Sequence, residues 1–283
     1  MVSDPECGSA NIDAMGERLQ KVLANTGFGS RRELETWISA GEIRLNGRTA
    51  KLGDRAELND DLVVRGRNYR VVSDVSDTRR VLIYYKPAGE VTTRSDPENR
   101  RTVFEALPKT VKGRWIVIGR LDLNTQGMLM VTNDGQLANL FMHPSSNIDR
   151  EYAVRVNGAI TPEVLERLRT GVELDDGMAH FNRLVEEGGD GRNQWFRVTV
   201  TEGRNRLVRR LWESQELTVS RLIRTRFGTV ILPKWMKRGD VHEMPPQEVQ
   251  KLAKSVGLKE TSSDTLRIVP VHPRHKRRSK RRR

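Results

Sequence analysis

The chain has 283 residues and a formal net charge of +13, from 50 Lys and Arg against 37 Asp and Glu. Hydrophobic residues at 36% allow a sizeable core, and no run approaches the about 18 apolar residues of a membrane span. The single cysteine, Cys7, excludes an intrachain disulfide and a cysteine-cluster metal site, and the charge points to a polyanionic partner.

In chain order, residues 1–15 are polar, lack a signal-peptide core and are expected to be disordered, which fits a cytoplasmic protein. Glu17 to Ala24 places Leu19, Val22 and Leu23 on one helical face. Ser30 and Glu33 form a capping box for a second helix carrying Leu34, Trp37 and Ile38. Ile43-Arg44-Leu45 then enters an Asn46-Gly47 turn, a strong hairpin signal. Arg31 and Arg32 sit at the second helix's start, where backbone amides already favour anions, and Arg44, Arg48 and Lys51 extend the same surface. Glu33, Glu35 and Glu42 nearly balance these charges, so a solvated amphipathic helix pair is an equal reading on composition alone.

Residues 73–80 are polar and turn-rich and read as a linker. Val81 to Tyr85 is a strand, left by Lys86-Pro87-Ala88-Gly89. Trp115 to Ile118 and Met128 to Val131 are two further apolar runs suited to buried strands. Between them lies Gly119-Arg120-Leu121-Asp122-Leu123-Asn124-Thr125-Gln126-Gly127, with Thr132-Asn133-Asp134-Gly135 after the second run. The two glycines bracket a tight backbone path around one carboxylate, which can act as a nucleophile or a general base. An aspartate between strands more often caps a turn. Arg150 to Val156 alternates as a strand and carries Tyr152, ordinarily a core or interface residue. Thr161 to Arg169 is a packing helix, and Gly203 turns into a helix through Trp212, rich in arginine and by itself a solvated basic face. Residues 258–283 form a basic tail expected to be largely disordered; its last twelve residues hold eight cations and no acid, a phosphate-binding composition.

The segment Gly119 to Gly135 resembles the signature of the pseudouridine synthases, in the branch containing the small-subunit and large-subunit ribosomal RNA enzymes. Lys86-Pro87-Ala88-Gly89 also resembles that family's opening pattern. The resemblance implies that Asp122 is the catalytic aspartate; Arg120, two residues before it, puts a guanidinium near the carboxylate and is a candidate substrate-binding residue. It further implies that Tyr152 stacks on the target uracil, that Val208 walls the pocket and that Arg209 pairs with the carboxylate. Leu207 departs from the pattern, standing where related enzymes usually carry Gln. The helix, helix, hairpin order with Arg31 and Arg32 resembles the RNA-binding domain named for ribosomal protein S4.

The expected fold is therefore α+β: a small S4-like RNA-binding domain over 16–72 and a pseudouridine synthase domain over 81–257 on a mainly antiparallel mixed sheet. The implied activity is isomerisation of uridine to pseudouridine in large-subunit ribosomal RNA. A small-subunit enzyme and a non-catalytic ribosome-assembly protein are the alternatives. The reaction adds and removes nothing, so no cofactor is expected. The histidines do not cluster at metal-ligand spacing, so neither is a metal. No dimerisation stripe is evident, which favours a monomer.

Overall fold

The computed structural model describes residues 16–73, 79–110, 113–190, 193–258 and 266–271; residues 1–15 and the cations of His272–Arg283 lie outside them. The described chain divides into two compact units.

The first unit opens on the short strand Glu17–Arg18, paired with Arg55–Ala56, followed by the two helices Leu19–Thr26 and Arg31–Ser39. Ser30 caps the second helix as its sequence implies: its side chain accepts from the Glu33 amide, and the Glu33 carboxylate accepts from the Ser30 amide. Leu19, Val22, Leu23, Leu34 and Ile38 are buried against a five-stranded sheet. Asn46 and Gly47 make the expected turn between Ile43–Leu45 and Arg48–Thr49. Leu266–Pro270, expected to belong to a disordered tail, is instead the edge strand of this sheet, paired antiparallel with Arg67–Ser73. Its pattern explains the difference, because Leu266 and Ile268, on one face of the strand, pack into the unit's core.

The second unit is built on a nine-stranded sheet among the described residues. Its main path runs Arg183–Asp190, Asn193–Val200, Arg150–Asn157, Thr218–Phe227, Gln126–Thr132, Val81–Lys86, Val241–Glu243. Ile116–Ile118 adds to Gln126–Thr132, and Val230–Ile231 to Thr218–Phe227. Every pairing is antiparallel except that between Thr218–Phe227 and Gln126–Thr132, so the sheet is mixed and mainly antiparallel.

The central strands are apolar on both faces, which is why they read as continuous runs. Leu82, Tyr84, Leu129 and Val131 face one core with the helices Pro162–Thr170 and Leu207–Glu213. Ile83, Met128 and Met130 face the other with Gly135–Met142 and Pro246–Ser255. The expected linker ends sooner than its composition implies. Arg79 pairs with Asp134 at 2.6 Å and Arg80 with Glu243, so both belong to this unit.

Candidate active site

Asp122 lies in the connection between Ile116–Ile118 and Gln126–Thr132, half-buried, and the backbone around it is held from several directions. Its carbonyl accepts from the Thr125 amide at 3.0 Å and from Lys86 Nζ at 3.1 Å. The segment after Lys86 is laced to the same loop: the Gly89 amide donates to Leu123 O, and the Thr92 hydroxyl donates to Leu121 O. These bonds leave the side chain free. Among the described residues nothing hydrogen-bonds or ion-pairs with the Asp122 carboxylate.

Lys86 is the residue that sequence reading named only as part of a pattern. Its side chain is fully buried, and besides Asp122 O its Nζ donates to Pro87 O, Leu123 O and Thr125 O at 3.0 to 3.3 Å. Burial pushes the ammonium down to about 8, opposed by the negative charges of Glu90 and Asp122. Glu90 is buried too, accepting from the Tyr84 hydroxyl and pairing with Arg101 at 3.2 Å. The loop thus rests on an ammonium held by main-chain carbonyls, with the charges of Glu90 and Asp122 acting on it through space.

Gly127 closes the loop under a tight constraint. It has φ +103°, and a Cβ there would lie 2.4 Å from Arg224 O and 2.6 Å from Arg224 N, backbone atoms of the adjacent parallel strand. Gly119 also has a positive φ, +77°, but opens onto empty space. Gly127→Ala is therefore expected to cost about 3 kcal/mol or more, from strain plus overpacking. Gly119→Ala should cost only about 1 kcal/mol. Urea unfolding of both variants compares them, and equal losses would contradict the close-approach account.

Gly127 also gives the position of Tyr152. Gly127 is in register with Arg224, and Arg224 with Tyr152, so two strand spacings, about 10 Å, separate their backbones. A register shift between Glu151 and Tyr152 re-aims the tyrosine. Its side chain is buried in the same core as Leu121 and Val208. Opposite Tyr152 in register stands Arg224, a fully buried guanidinium whose Nε donates to Met128 O at 2.7 Å and whose Nη2 has no partner among the described residues. Burial pushes Arg224 down from its ordinary value, and Tyr152 opposes that. Arg224 carries no local signal in the sequence; only the strand pairing brings it to Tyr152.

Arg209 departs from its expected contact. Rather than bonding the carboxylate, Nη1 donates to Val219 O at 2.9 Å and Nη2 to Asn124 O at 3.1 Å. It clamps the loop's backbone to the central sheet, and the Asp122 charge reaches it only through space. Burial and the neighbouring Arg206 push Arg209 down, with Asp122 and Glu213 acting the other way. The adjacent arginines are not a free basic face: Arg204 and Arg210 both pair with Asp176. Arg120 is exposed at the loop's rim.

The second half of the motif is architectural. Asp134 caps the helix Gly135–Met142 through the amides of Gln136 and Leu137, and the Thr132 hydroxyl donates to Arg80 O. In the first unit, Arg31 and Arg32 are exposed, whereas Arg48 is neutralised by Asp54 at 2.7 Å. No group of three or more potential ligands is placed to hold a metal among the described residues.

The sequence family of RNA pseudouridylate synthases matches residues 80–214, and the S4 domain matches 17–62. The ribosomal large subunit pseudouridine synthase B of Escherichia coli K12 is 52% identical over 252 residues, covering 88% of this chain and 87% of that protein. The chain belongs to the RNA pseudouridylate synthase family. The protein of the same name from Haemophilus influenzae is 50% identical over 265 residues, covering 93% of this chain and 74% of that protein. That from Pseudomonas aeruginosa is 53% identical over 246 residues, covering 87% of this chain; the match spans 64% of that protein's length. A crystal structure of a pseudouridylate synthase shares the synthase fold, with a TM-score of 0.57 at 21% identity, covering 84% of this chain and all of that one.

Proposed function

We propose that this synthase isomerises a uridine to pseudouridine in large-subunit ribosomal RNA, in the cytoplasm, as a monomer and without a cofactor. The observation that carries the reading is the Asp122 loop: a carboxylate with no hydrogen-bond partner among the described residues, on a backbone fixed by Lys86, Thr125 and Arg209, in a chain about half identical to large-subunit synthases.

The reaction breaks the bond from ribose carbon 1′ to uracil N1 and forms one from carbon 1′ to C5. N1 gains a proton and C5 loses one. Asp122 is the catalytic residue, as nucleophile or base. Tyr152 stacks on the displaced base, which loses its neighbours in the RNA; an aromatic face returns roughly 1–3 kcal/mol. Val208 walls the pocket, so the detached uracil turns without leaving. Arg209 and Lys86 are positioning residues that act through the loop. Arg31 and Arg32 bind RNA phosphate at the S4 domain, and Arg120 contributes at the rim of the site.

The test is to incubate the protein with large-subunit RNA carrying tritium at uridine C5 and to map pseudouridines in a deletion strain. Tritium release and one missing large-subunit pseudouridine are the expected results. Loss of a small-subunit pseudouridine would reject the substrate, and absence of release on particles and naked RNA alike would leave a binding protein.

A further inference from the structure

The turn Pro233–Gly239 takes no part in the site described above, yet it gathers an exposed indole and three cations on a firm base. Its entry is held by the Leu232 amide donating to Thr225 O, and its exit by the Gly239 amide donating to Tyr85 O. The Tyr85 amide in turn donates to Asp240 O, so the turn is braced on the strand that ends at Lys86. Met236 anchors its middle, buried with Met128, Met130 and Phe227.

Trp235, beside that anchor, is 62% exposed. It packs perpendicular to His242 with ring centroids 5.0 Å apart, which fixes the indole's orientation while leaving most of it open. Lys234, Lys237 and Arg238 are all exposed, and none forms an ion pair among the described residues. The acid that follows the turn, Asp240, accepts from the Lys237 amide at 2.7 Å. A lone exposed apolar residue needs no account. An oriented indole in one turn with three exposed cations does, and charge selects the occupant: single-stranded nucleic acid combines a flat stacking face with closely spaced phosphates.

We propose that this turn is a second RNA-contact surface, on which an unpaired nucleotide of the substrate RNA stacks on Trp235 while Lys234, Lys237 and Arg238 neutralise the adjoining phosphates. The inference rests on RNA being the substrate. It adds a contact outside both the uridine pocket and the S4 domain, on a turn hydrogen-bonded to the strand that carries Lys86.

The test uses the full chain and a large-subunit ribosomal RNA transcript, with binding measured across a salt series. Trp235→Ala should weaken binding about tenfold with the salt slope unchanged, and Trp235→Phe should keep most of the affinity. Replacing Lys234, Lys237 and Arg238 together by Ala should lower the slope of log affinity against log salt by about 2. Pseudouridine formation at saturating RNA should proceed at the wild-type rate in all three. Wild-type affinity in Trp235→Ala, or an unchanged slope in the triple variant, overturns the proposal. Loss of self-association in Trp235→Ala with RNA affinity intact also overturns it, assigning the patch to a second copy. If the wild-type protein neither binds nor modifies the transcript, it is the RNA reading that fails.

Discussion

Asp122→Asn is expected to lower the rate of pseudouridine formation by at least ~10³-fold while leaving fold and RNA affinity nearly unchanged. The separation follows from the way the residue is held. Its position is set by main-chain bonds, with the Asp122 carbonyl accepting from Thr125 N and Lys86 Nζ and the neighbouring carbonyls taken by Thr92 and Gly89. None of these involves the carboxylate. Amide for carboxylate is also isosteric, so Leu121, Tyr152 and Val208 keep their packing. What is lost is a negative charge beside two cations, Lys86 and Arg209, and with it both the nucleophile and the base. Tritium release under single-turnover conditions reads the chemical step, filter binding reads affinity, and urea unfolding reads stability. Retention of more than about a tenth of the rate would remove Asp122 from the chemistry. A large loss of stability would show instead that the carboxylate is a structural turn residue, the ordinary reading of an aspartate between strands.

Much of that loop is legible in the sequence. Gln126–Thr132 is apolar on both sides because it is a central strand, and Ile116–Ile118, paired with it alone, sends side chains into both cores; such runs announce themselves without periodicity. Ser30 with Glu33, and Asn46 with Gly47, are local signals whose partners lie within a few residues, so the cap and the turn were readable too. The missed features all depend on distant neighbours. Lys86 meets carbonyls 36 to 39 residues away, Arg224 meets Tyr152 only through strand register, and Arg209 finds carbonyls where an ion pair was expected. Leu266–Pro270 was hidden differently: its five-residue alternation is short, and the basic run after it dominates the composition.

Lys86→Met should damage the site without removing any group that touches the base. At neutral pH the variant loses an ammonium that donates to four carbonyls, those of Pro87, Asp122, Leu123 and Thr125. A buried acceptor left without a donor costs about 1–3 kcal/mol, and several are at risk. Relief from burying a charge offsets part of this, for a net loss of about 2–4 kcal/mol. The loop then no longer fixes Asp122, and the chemical step should fall by about 10²-fold or more with RNA affinity little changed. The pH dependence tells a buried ammonium from a merely space-filling side chain. Lys86 titrates at about 8 in the folded chain, below the about 10.4 of an unfolded lysine. Between those values the unfolded chain binds more protons, so this group adds stability as pH rises through the window, by at most ~3 kcal/mol. That contribution is complete above the unfolded value and is lost as pH falls through about 8. The methionine variant has no such slope, so the gap in unfolding free energy between wild type and variant should widen from pH 8 to 10.5. Urea unfolding across that range measures it, and parallel pH profiles would show that Lys86 does not stand as a buried cation beneath the catalytic loop.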